Sequence, residues 1–192
     1  MAHHNGLSFY KRKKKFNPGI IKEIFSWIIL IFIAVFLATS SVYAFGMSAN
    51  VVGVSMEPVL FNGQKVLINR LAYILPNPKV GDVVIFLPNG NEHSHYYVKR
   101  VAAVSGDAVQ MSSGMLYVNG EKSENFNEKI LDPGIFVNEI TLASGEYFCV
   151  GDNVNSSEDS RSANIGPVKE SEIIGKVWFC FKCEQRKMGI VR

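Results

Sequence analysis

The hydrophobic positions of the chain are concentrated in one uninterrupted run near the N-terminus. Residues 24–45 contain no charged side chain over 22 positions, and a helix needs about 20 apolar residues to cross the hydrocarbon core of a bilayer. The basic run Lys11–Lys15 precedes this stretch, and after it no lysine or arginine occurs before Lys65. By the positive-inside rule, we expect a cytoplasmic tail over 1–19, a transmembrane anchor over 20–45 and an extracytoplasmic domain over 46–192.

Two other interpretations of the apolar run are open at this point. Val42-Tyr43-Ala44 has the small residues of a signal-peptide cleavage site, so the run could be a secretory signal that is removed before Phe45. The run is longer than the apolar h-region of a usual signal peptide, which favours an uncleaved anchor. A buried core helix is disfavoured because the run has no polar face.

From Ala49 onward the pattern changes to short segments of alternating or apolar residues separated by glycine, proline and asparagine. These segments predict strands over residues 65–68, 82–86, 96–101, 115–118, 140–142, 147–150 and 176–181. The dipeptide Asn119-Gly120 predicts a two-residue hairpin turn. The polar segment 121–139 predicts a surface excursion. The fold class is therefore mainly β, a barrel-like or sandwich-like domain preceded by one transmembrane helix.

Charge and cysteine content exclude several functions. The net charge is +3, and much of it comes from the N-terminal basic run, so no nucleic-acid partner is predicted. Cys180 and Cys183 have CxxC spacing, but without a second ligand pair this is weak support for zinc. We predict that these two and Cys149 pack in the core, and whether two of the three form a disulfide stays open. We predict no metal and no cofactor.

Two segments carry candidate chemistry of complementary kinds. Ser55 lies between Gly53 and Pro58, which suits a fixed hydroxyl but also suits an ordinary turn. Lys99 lies inside an apolar strand, and strand alternation places it on one face with Tyr97 and Val101. Burial would lower the lysine pKa, and a shift to roughly 8 costs about 3 kcal/mol. A neutral Lys99 could then deprotonate Ser55, whereas a lysine on an edge strand would simply reach water.

A third segment, Gly151–Arg161, follows a predicted strand and is dense in short hydrogen-bonding side chains. It contains Ser157, Asp159 and Arg161. Such a loop can orient catalytic groups, or it can be a surface turn with an aspartate–arginine ion pair.

Together these segments resemble the type I signal peptidases, bacterial serine proteases with a serine–lysine dyad. The resemblance covers about residues 20–181 and rests on four boxes in the family's order: Gly53-Val-Ser-Met-Glu-Pro-Val-Leu60, Gly81-Asp-Val-Val84, Tyr97-Val-Lys-Arg-Val-Ala-Ala-Val-Ser-Gly-Asp107 and Gly151–Arg161.

The resemblance implies a role for each matching residue. Ser55 would be the nucleophile and would also supply one oxyanion donor from its backbone N–H, and Lys99 would be the general base. Ser157 would orient the lysine amine, and Asp159 and Arg161 would form a supporting ion pair. Met56 would pack at the site, and the segment before Ser55 would pair with extended substrate. Secretory preproteins would be cut after a small residue at an Ala-x-Ala-like site beside the lipid bilayer.

The chain departs from the family pattern at a few positions. Val59, Val104-Ser105 and Val154 replace residues that are common in the family, and none of them removes a catalytic group. Gly53 stands where some members have a serine whose hydroxyl is a second oxyanion donor. The source of that donor is therefore not predicted.

The histidines and two rival functions complete the predictions. His93 and His95 are interpreted as solvated loop residues, since the base position is filled by Lys99, and His3 and His4 as tail residues. One rival is a serine–lysine autoprotease of the repressor-cleavage type, which would normally lack an anchor. The other is a catalytically silent, membrane-anchored binding module, which retention of both dyad residues disfavours.

Overall fold

The computed structural model of the chain describes residues 18–91, 93–124, 126, 129–182 and 187–191. The tail histidines and Cys183 lie outside the described residues. The chain divides into two compact units, Met1–Ser40 and Ser41–Arg192. The second unit begins within the last turns of the N-terminal helix.

The N-terminal helix, α1, spans Pro18–Phe45. Gly19–Phe45, 27 residues, is long and apolar enough to cross a membrane. Every side chain from Gly19 to Tyr43 is exposed, so the interpretation as a buried core helix is wrong. An apolar surface on all sides of a helix is what a lipid environment requires. The prediction of one apolar helix before a β domain is confirmed.

The end of α1 is packed and hydrogen-bonded. Ala44 is buried, and its carbonyl accepts a hydrogen bond from the Arg70 N–H at 3.1 Å. A signal-peptide cleavage site must present an extended, accessible bond, whereas this residue is helical and covered. The geometry favours the uncleaved anchor.

The second unit is built mainly from short strands. They are β1 (Met47–Asn50), β2 (Lys65–Asn69), β3 (Val83–Phe86), β4 (Tyr97–Ala103), β5 (Ala108–Ser112), β6 (Met115–Val118), β7 (Glu121–Lys122), β8 (Ile140–Thr141), β9 (Glu146–Val150), β10 (Val168–Lys169), β11 (Ile173–Cys180) and β12 (Gly189–Ile190). The predicted strands are all present within a few residues of their expected bounds. β1, β5 and the two-residue strands β7, β10 and β12 were not predicted.

The strands form two antiparallel sheets. The larger has the order β1-β2-β11-β3-β4-β9-β10, with β12 added to β11, and it curls into a half-barrel. The smaller has the order β7-β6-β5-β8. β1 is therefore an edge strand, while β4 is interior and pairs with both β3 and β9. This confirms the mainly β, barrel-like prediction.

Two hairpin turns explain why the sequence predicts one part of the small sheet and not another. Asn119 and Gly120 have φ of 54° and 77° and join β6 to β7, as the dipeptide predicts. Ser113 and Gly114 have φ of 53° and 77° and join β5 to β6 in the same way. Serine is not a strong signal for this turn, so β5 was missed.

Most described residues of the segment 121–139 are exposed, as its polarity predicts, but three apolar residues attach it to the core. Phe126, Ile130 and Phe136 are buried in the cluster that the small sheet forms with β9. The Phe136 ring lies 4.5 Å, centroid to centroid, from Phe148. These apolar residues are irregularly spaced, so no strand or helix period marked them.

Candidate active site

Ser55 lies on the connection between β1 and β2, beside the edge of the large sheet. The connection is fixed on both sides of the serine. The Gly53 N–H donates to Asn62 Oδ1 at 2.9 Å, and the Ser55 carbonyl accepts from the Asn153 N–H at 3.0 Å. Gly53 has a φ of 83°, which favours glycine. Met56, the next residue after the serine, is fully buried in the core.

Lys99 reaches Ser55 from the interior strand β4. Its side chain is 3% exposed, and its Nζ donates to Ser55 Oγ at 2.8 Å. In the pairing of β4 with β3, Lys99 lies opposite Val84. The alternative interpretation of Lys99 required an edge strand and a solvent-exposed side chain, and the structure shows neither. The structure thus brings the two residues of the predicted dyad into direct contact.

The surroundings of Lys99 lower its pKa to about 8. Burial is the largest cause, because the ammonium loses hydration that the protein does not replace in full. The carboxylates of Asp159 and Glu158 oppose this shift, and Arg161 adds to it. The Tyr97 ring centroid lies 5.6 Å from the Lys99 Nζ. The amine can therefore lose its proton close to neutral pH.

The segment 151–161 packs behind the dyad and is not a surface turn. Asp159 and Arg161 are both buried and form a bidentate ion pair, with Nε–Oδ1 and Nη2–Oδ2 distances of 2.8 and 2.9 Å. Asp159 also accepts from the Gly151 N–H at 3.2 Å. The Arg161 guanidinium donates to the Val154 carbonyl as well. The pair therefore fixes both ends of the loop.

Ser157 lies next to the dyad but does not bond it in this structure. Its Oγ is buried and has no hydrogen-bond partner among the described residues. A Cβ at Gly151 would overlap both this hydroxyl and the Ser55 carbonyl, so only glycine permits the close packing of the two segments. The predicted role of Ser157 in orienting the lysine amine stays a prediction.

An open cleft of about 300 Å³ leads to the dyad. Its walls come from β1 and the chain after it, from β4 and from the 151–161 loop. The lining residues are Ala49, Asn50, Val51, Val52, Gly53, Val54, Ser55, Met56, Ile85, His95, Tyr96, Tyr97, Val98, Lys99, Ser156 and Glu158.

The cleft includes functional candidates that the sequence did not single out. His93 and His95 are exposed, as predicted, but His95 also lines the cleft. Tyr97 OH donates to Glu158 Oε2 at 3.2 Å. No local sequence signal pairs these two, since they are 61 residues apart.

A second ion pair ties β4 to the loop. Arg100 Nε and Nη2 lie 2.6 and 2.8 Å from the two carboxylate oxygens of Asp152, and Nη1 donates to the Gly81 carbonyl at 2.7 Å. A bidentate arginine fork fixes both position and orientation. Its residues belong to three of the four sequence boxes, so this contact brings those three boxes together in space.

The cysteines take no part in this arrangement. Cys149 and Cys180 are buried and free, and Cys183 lies outside the described residues. Burial raises the pKa of the Cys149 thiol well above its usual range, so it is not a nucleophile at neutral pH. In the described part of the chain, no group of three or more metal-binding side chains could hold an ion.

A serine hydroxyl beside a buried lysine amine is the pairing of an activated-nucleophile hydrolase. Comparison with known proteins gives the family. Residues 24–182 match the family described as signal peptidase, peptidase S26. Over 178 residues the chain is 35% identical to signal peptidase IB of Staphylococcus aureus, covering 83% of this chain and 90% of that protein. It is 34% identical over 170 residues to signal peptidase I of Bacillus licheniformis, covering 83% and 89%.

The chain therefore belongs to the signal peptidase family, peptidase S26, which makes it a peptidase. A crystal structure of a signal peptidase I from Enterococcus faecalis is also similar, with 25% sequence identity and a TM-score of 0.42 over 53% of this chain and 97% of that one.

Proposed function

We propose that this chain is a membrane-anchored signal peptidase that cleaves preproteins with Ser55 as nucleophile and Lys99 as general base. Family membership supports the removal of signal peptides by a serine protease. The observation that carries the dyad is the 2.8 Å contact between Lys99 Nζ and Ser55 Oγ. The distance is within the range for direct proton transfer between nucleophile and base.

In the proposed reaction, neutral Lys99 takes the proton of Ser55 as Oγ attacks the scissile carbonyl. The tetrahedral intermediate expels the amine of the mature protein, which receives that proton from the Lys99 ammonium. The signal peptide remains as an ester on Ser55. Lys99 then deprotonates a water molecule, which attacks the ester, and the proton returns to Ser55 Oγ. The reaction consumes one water and no other reactant.

The developing oxyanion needs donors that are in place before the reaction. The Ser55 N–H makes no hydrogen bond to any described residue and serves as one donor. The Gly53 N–H is already bonded to Asn62 Oδ1, which argues against it as the second. The supporting residues act indirectly: Asp159 and Arg161 hold the loop, and Ser157 supplies a free hydroxyl near Gly151.

We further propose a preference for small residues at the cut, which the resemblance to the signal peptidase family implies. Met56, Ile85 and Val98 give apolar walls close to Ser55, and these suit an apolar side chain such as that of alanine. The edge strand β1 can pair with an extended Ala-x-Ala segment through its free backbone groups.

The proposed organisation keeps the expected boundaries. Residues 1–19 form the cytoplasmic tail, 20–45 the anchor in the bacterial cytoplasmic membrane, and 46–192 the extracytoplasmic catalytic domain. The basic run before the anchor supports this orientation. Protease protection in sealed spheroplasts tests it: the catalytic domain should be digested from outside while a tag on the N-terminus stays protected.

The test of the function is preprotein processing in membranes that contain the full chain. Ser55→Ala and Lys99→Met should each abolish cleavage. The controls Ser112→Ala and Lys122→Met change exposed residues of the small sheet and should process normally. Retained cleavage in Lys99→Met would reject the dyad, and normal cleavage in both dyad variants would reject the site altogether.

A further inference from the structure

An open groove of about 550 Å³ borders the 151–161 loop, and the proposed reaction does not use it. One of its walls is that loop, and the other is the segment 131–135. Leu131, Ile135 and Val154 contribute apolar surface, and Leu131 is 75% exposed. An apolar surface that is open to solvent and bordered by polar side chains is typical of a place where another chain binds.

Hydrogen bonds join the two walls of the groove. Asn155 Oδ1 accepts from the Leu131 N–H at 3.0 Å. The Arg161 guanidinium donates to the Asp132 carbonyl at 3.3 Å, and the Arg161 carbonyl accepts from the Ile135 N–H at 3.0 Å. The shape of the groove is therefore fixed before a ligand arrives, which lowers the entropic cost of binding.

The groove is continuous with the cleft that leads to the dyad. Glu158 lines both of them. Ser157, which also lines the groove, lies close to the nucleophile, because a Cβ at Gly151 would overlap both the Ser157 hydroxyl and the Ser55 carbonyl. A chain that leaves the dyad past Glu158 therefore enters the groove.

The arrangement of the cleft walls indicates which part of a substrate takes this path. In the proposed function, the signal-peptide side of the cut pairs with β1 and contacts the walls from β1 and β4. The remaining wall is the 151–161 loop, which contributes Ser156 and Glu158 to the cleft. The chain on the other side of the cut, which becomes the mature protein, leaves along that wall. At about 3.3 Å for each extended residue, its first five residues reach roughly 16 Å beyond the cut.

The charge of the groove favours some of these chains over others. Among the described residues that line it, the charged ones are Asp132, Glu158, Asp159 and Arg161. Asp159 and Arg161 neutralise each other in their buried ion pair. Asp132 and Glu158 are exposed and leave the groove negatively charged. A negative surface attracts lysine or arginine and repels aspartate or glutamate.

We propose that this groove binds the first residues of the mature part of the preprotein, and that Asp132 and Glu158 favour a lysine or arginine among them. The proposal rests on the proposed function, because it takes a preprotein as the substrate and Ser55 as the point of cleavage. Contacts on both sides of the cut hold the scissile carbonyl at Ser55 more firmly than contacts on the signal-peptide side alone. The groove thus adds a second determinant of specificity to the small residues before the cut.

Photocross-linking with the full chain in membranes tests where the mature part lies. A photoreactive amino acid replaces Leu131 in the Ser55→Ala variant, so that a bound preprotein stays uncut. The matched control carries it in place of Val137, an exposed apolar residue of the same segment that does not line the groove. Position 131 should cross-link to the first mature residues at least fivefold more than position 137. Equal yields, or cross-links from position 131 only to the signal peptide or to another protein, would overturn the proposal.

Cleavage kinetics test the effect of charge. Two signal-peptide substrates extend five residues past the cut and carry either lysine or glutamate at the third of them. The parent enzyme should prefer the lysine substrate by about three- to tenfold in kcat/KM, the size expected for exposed charge pairs. Substituting both carboxylates, Asp132→Asn with Glu158→Gln, should reduce this ratio below twofold, and Glu121→Gln on the exposed strand β7 should leave it unchanged. Because both substrates meet the same Lys99, its protonation does not affect the ratio.

The same measurements separate failure of the groove from failure of the proposed function. If the parent cleaves the two substrates equally, or the double variant keeps the parent ratio, and Ser55→Ala cleaves neither, the nucleophile is correct and the groove proposal is wrong. If Ser55→Ala cleaves both substrates and keeps the lysine preference, the groove proposal stands and the proposed nucleophile is wrong.

Discussion

Replacing Glu158 with glutamine removes one of the carboxylates that raise the pKa of Lys99. The causes that lower this pKa, of which burial is the largest, are then opposed by one carboxylate fewer. The pKa of Lys99 should fall below about 8, and activity should appear at lower pH than in the parent enzyme. The sign follows from the proposed role of Lys99, since a base is active only when it is neutral.

The structure bounds the size of this shift. Glu158 contacts the Tyr97 hydroxyl, and the ring of Tyr97 lies 5.6 Å from Lys99 Nζ. At a separation on the order of 10 Å, a unit charge changes the energy by about 0.4 kcal/mol in water and by about 1.7 kcal/mol at an effective dielectric constant of 20. These values correspond to roughly 0.3 to 1.2 pKa units. Because Glu158 is exposed, we expect the lower half of that range.

The assay is the pH dependence of kcat/KM with a preprotein or a signal-peptide fragment. The parent enzyme should gain activity with pH through a midpoint near 8, and Glu158→Gln should move that midpoint down. Glu139→Gln, an exposed carboxylate on the segment before β8, should not move it. An upward or absent shift in Glu158→Gln would refute the electrostatic reasoning, and a parent midpoint near 10.5 would refute the buried neutral lysine.

Three further predictions concern stability. Lys99→Met should raise the unfolding midpoint at pH 7, because it removes a buried ammonium. Since the pKa of Lys99 in the folded state is lowered to about 8, the stability gained by the substitution should decrease between pH 8 and 10.5. A stability gain that is equal at all pH values would contradict this reasoning. Arg161→Met should cost about 3–5 kcal/mol of unfolding free energy because it leaves Asp159 buried without its partner, and a cost below 1 kcal/mol would show that the pair is dispensable. Phe136→Ala should cost about 3–5 kcal/mol, against less than 1 kcal/mol for the exposed neighbour Val137→Ala, and similar costs would show that this segment is not core.

The parts of the fold that could be predicted have strong local signals. A long apolar run indicates the helix α1, and the dipeptide Asn119-Gly120 indicates the hairpin turn between β6 and β7 because both residues adopt positive φ there. The strand containing Lys99 could be recognised by its β-branched and aromatic residues. By contrast, Phe136 is buried through contacts with residues that are distant in sequence. It lies in a polar segment, so no local pattern indicates that it is part of the core.

The residues of the candidate site divide in the same way, into those that a local sequence signal indicates and those that depend on packing. Ser55 and Lys99 were predicted from the chemistry of each residue and from the family boxes, whereas the sequence left open whether Lys99 is buried; the structure buries it and places its Nζ against Ser55 Oγ. The contact between Tyr97 and Glu158 depends on how the loop folds over β4, which no local pattern encodes. The free hydroxyl of Ser157 likewise depends on packing around Gly151.

The central claim is that Ser55 is acylated with Lys99 as base, and trapping of the acyl-enzyme tests it most directly. The full chain is treated with a slowly deacylating serine-directed inhibitor at pH 8.5, and the modified peptide is identified by mass spectrometry. The account predicts a single adduct on Ser55, no adduct in Ser55→Ala, and acylation slowed by about 10²- to 10⁴-fold in Lys99→Met. An adduct on another residue, or acylation of Lys99→Met at the parent rate, would contradict it.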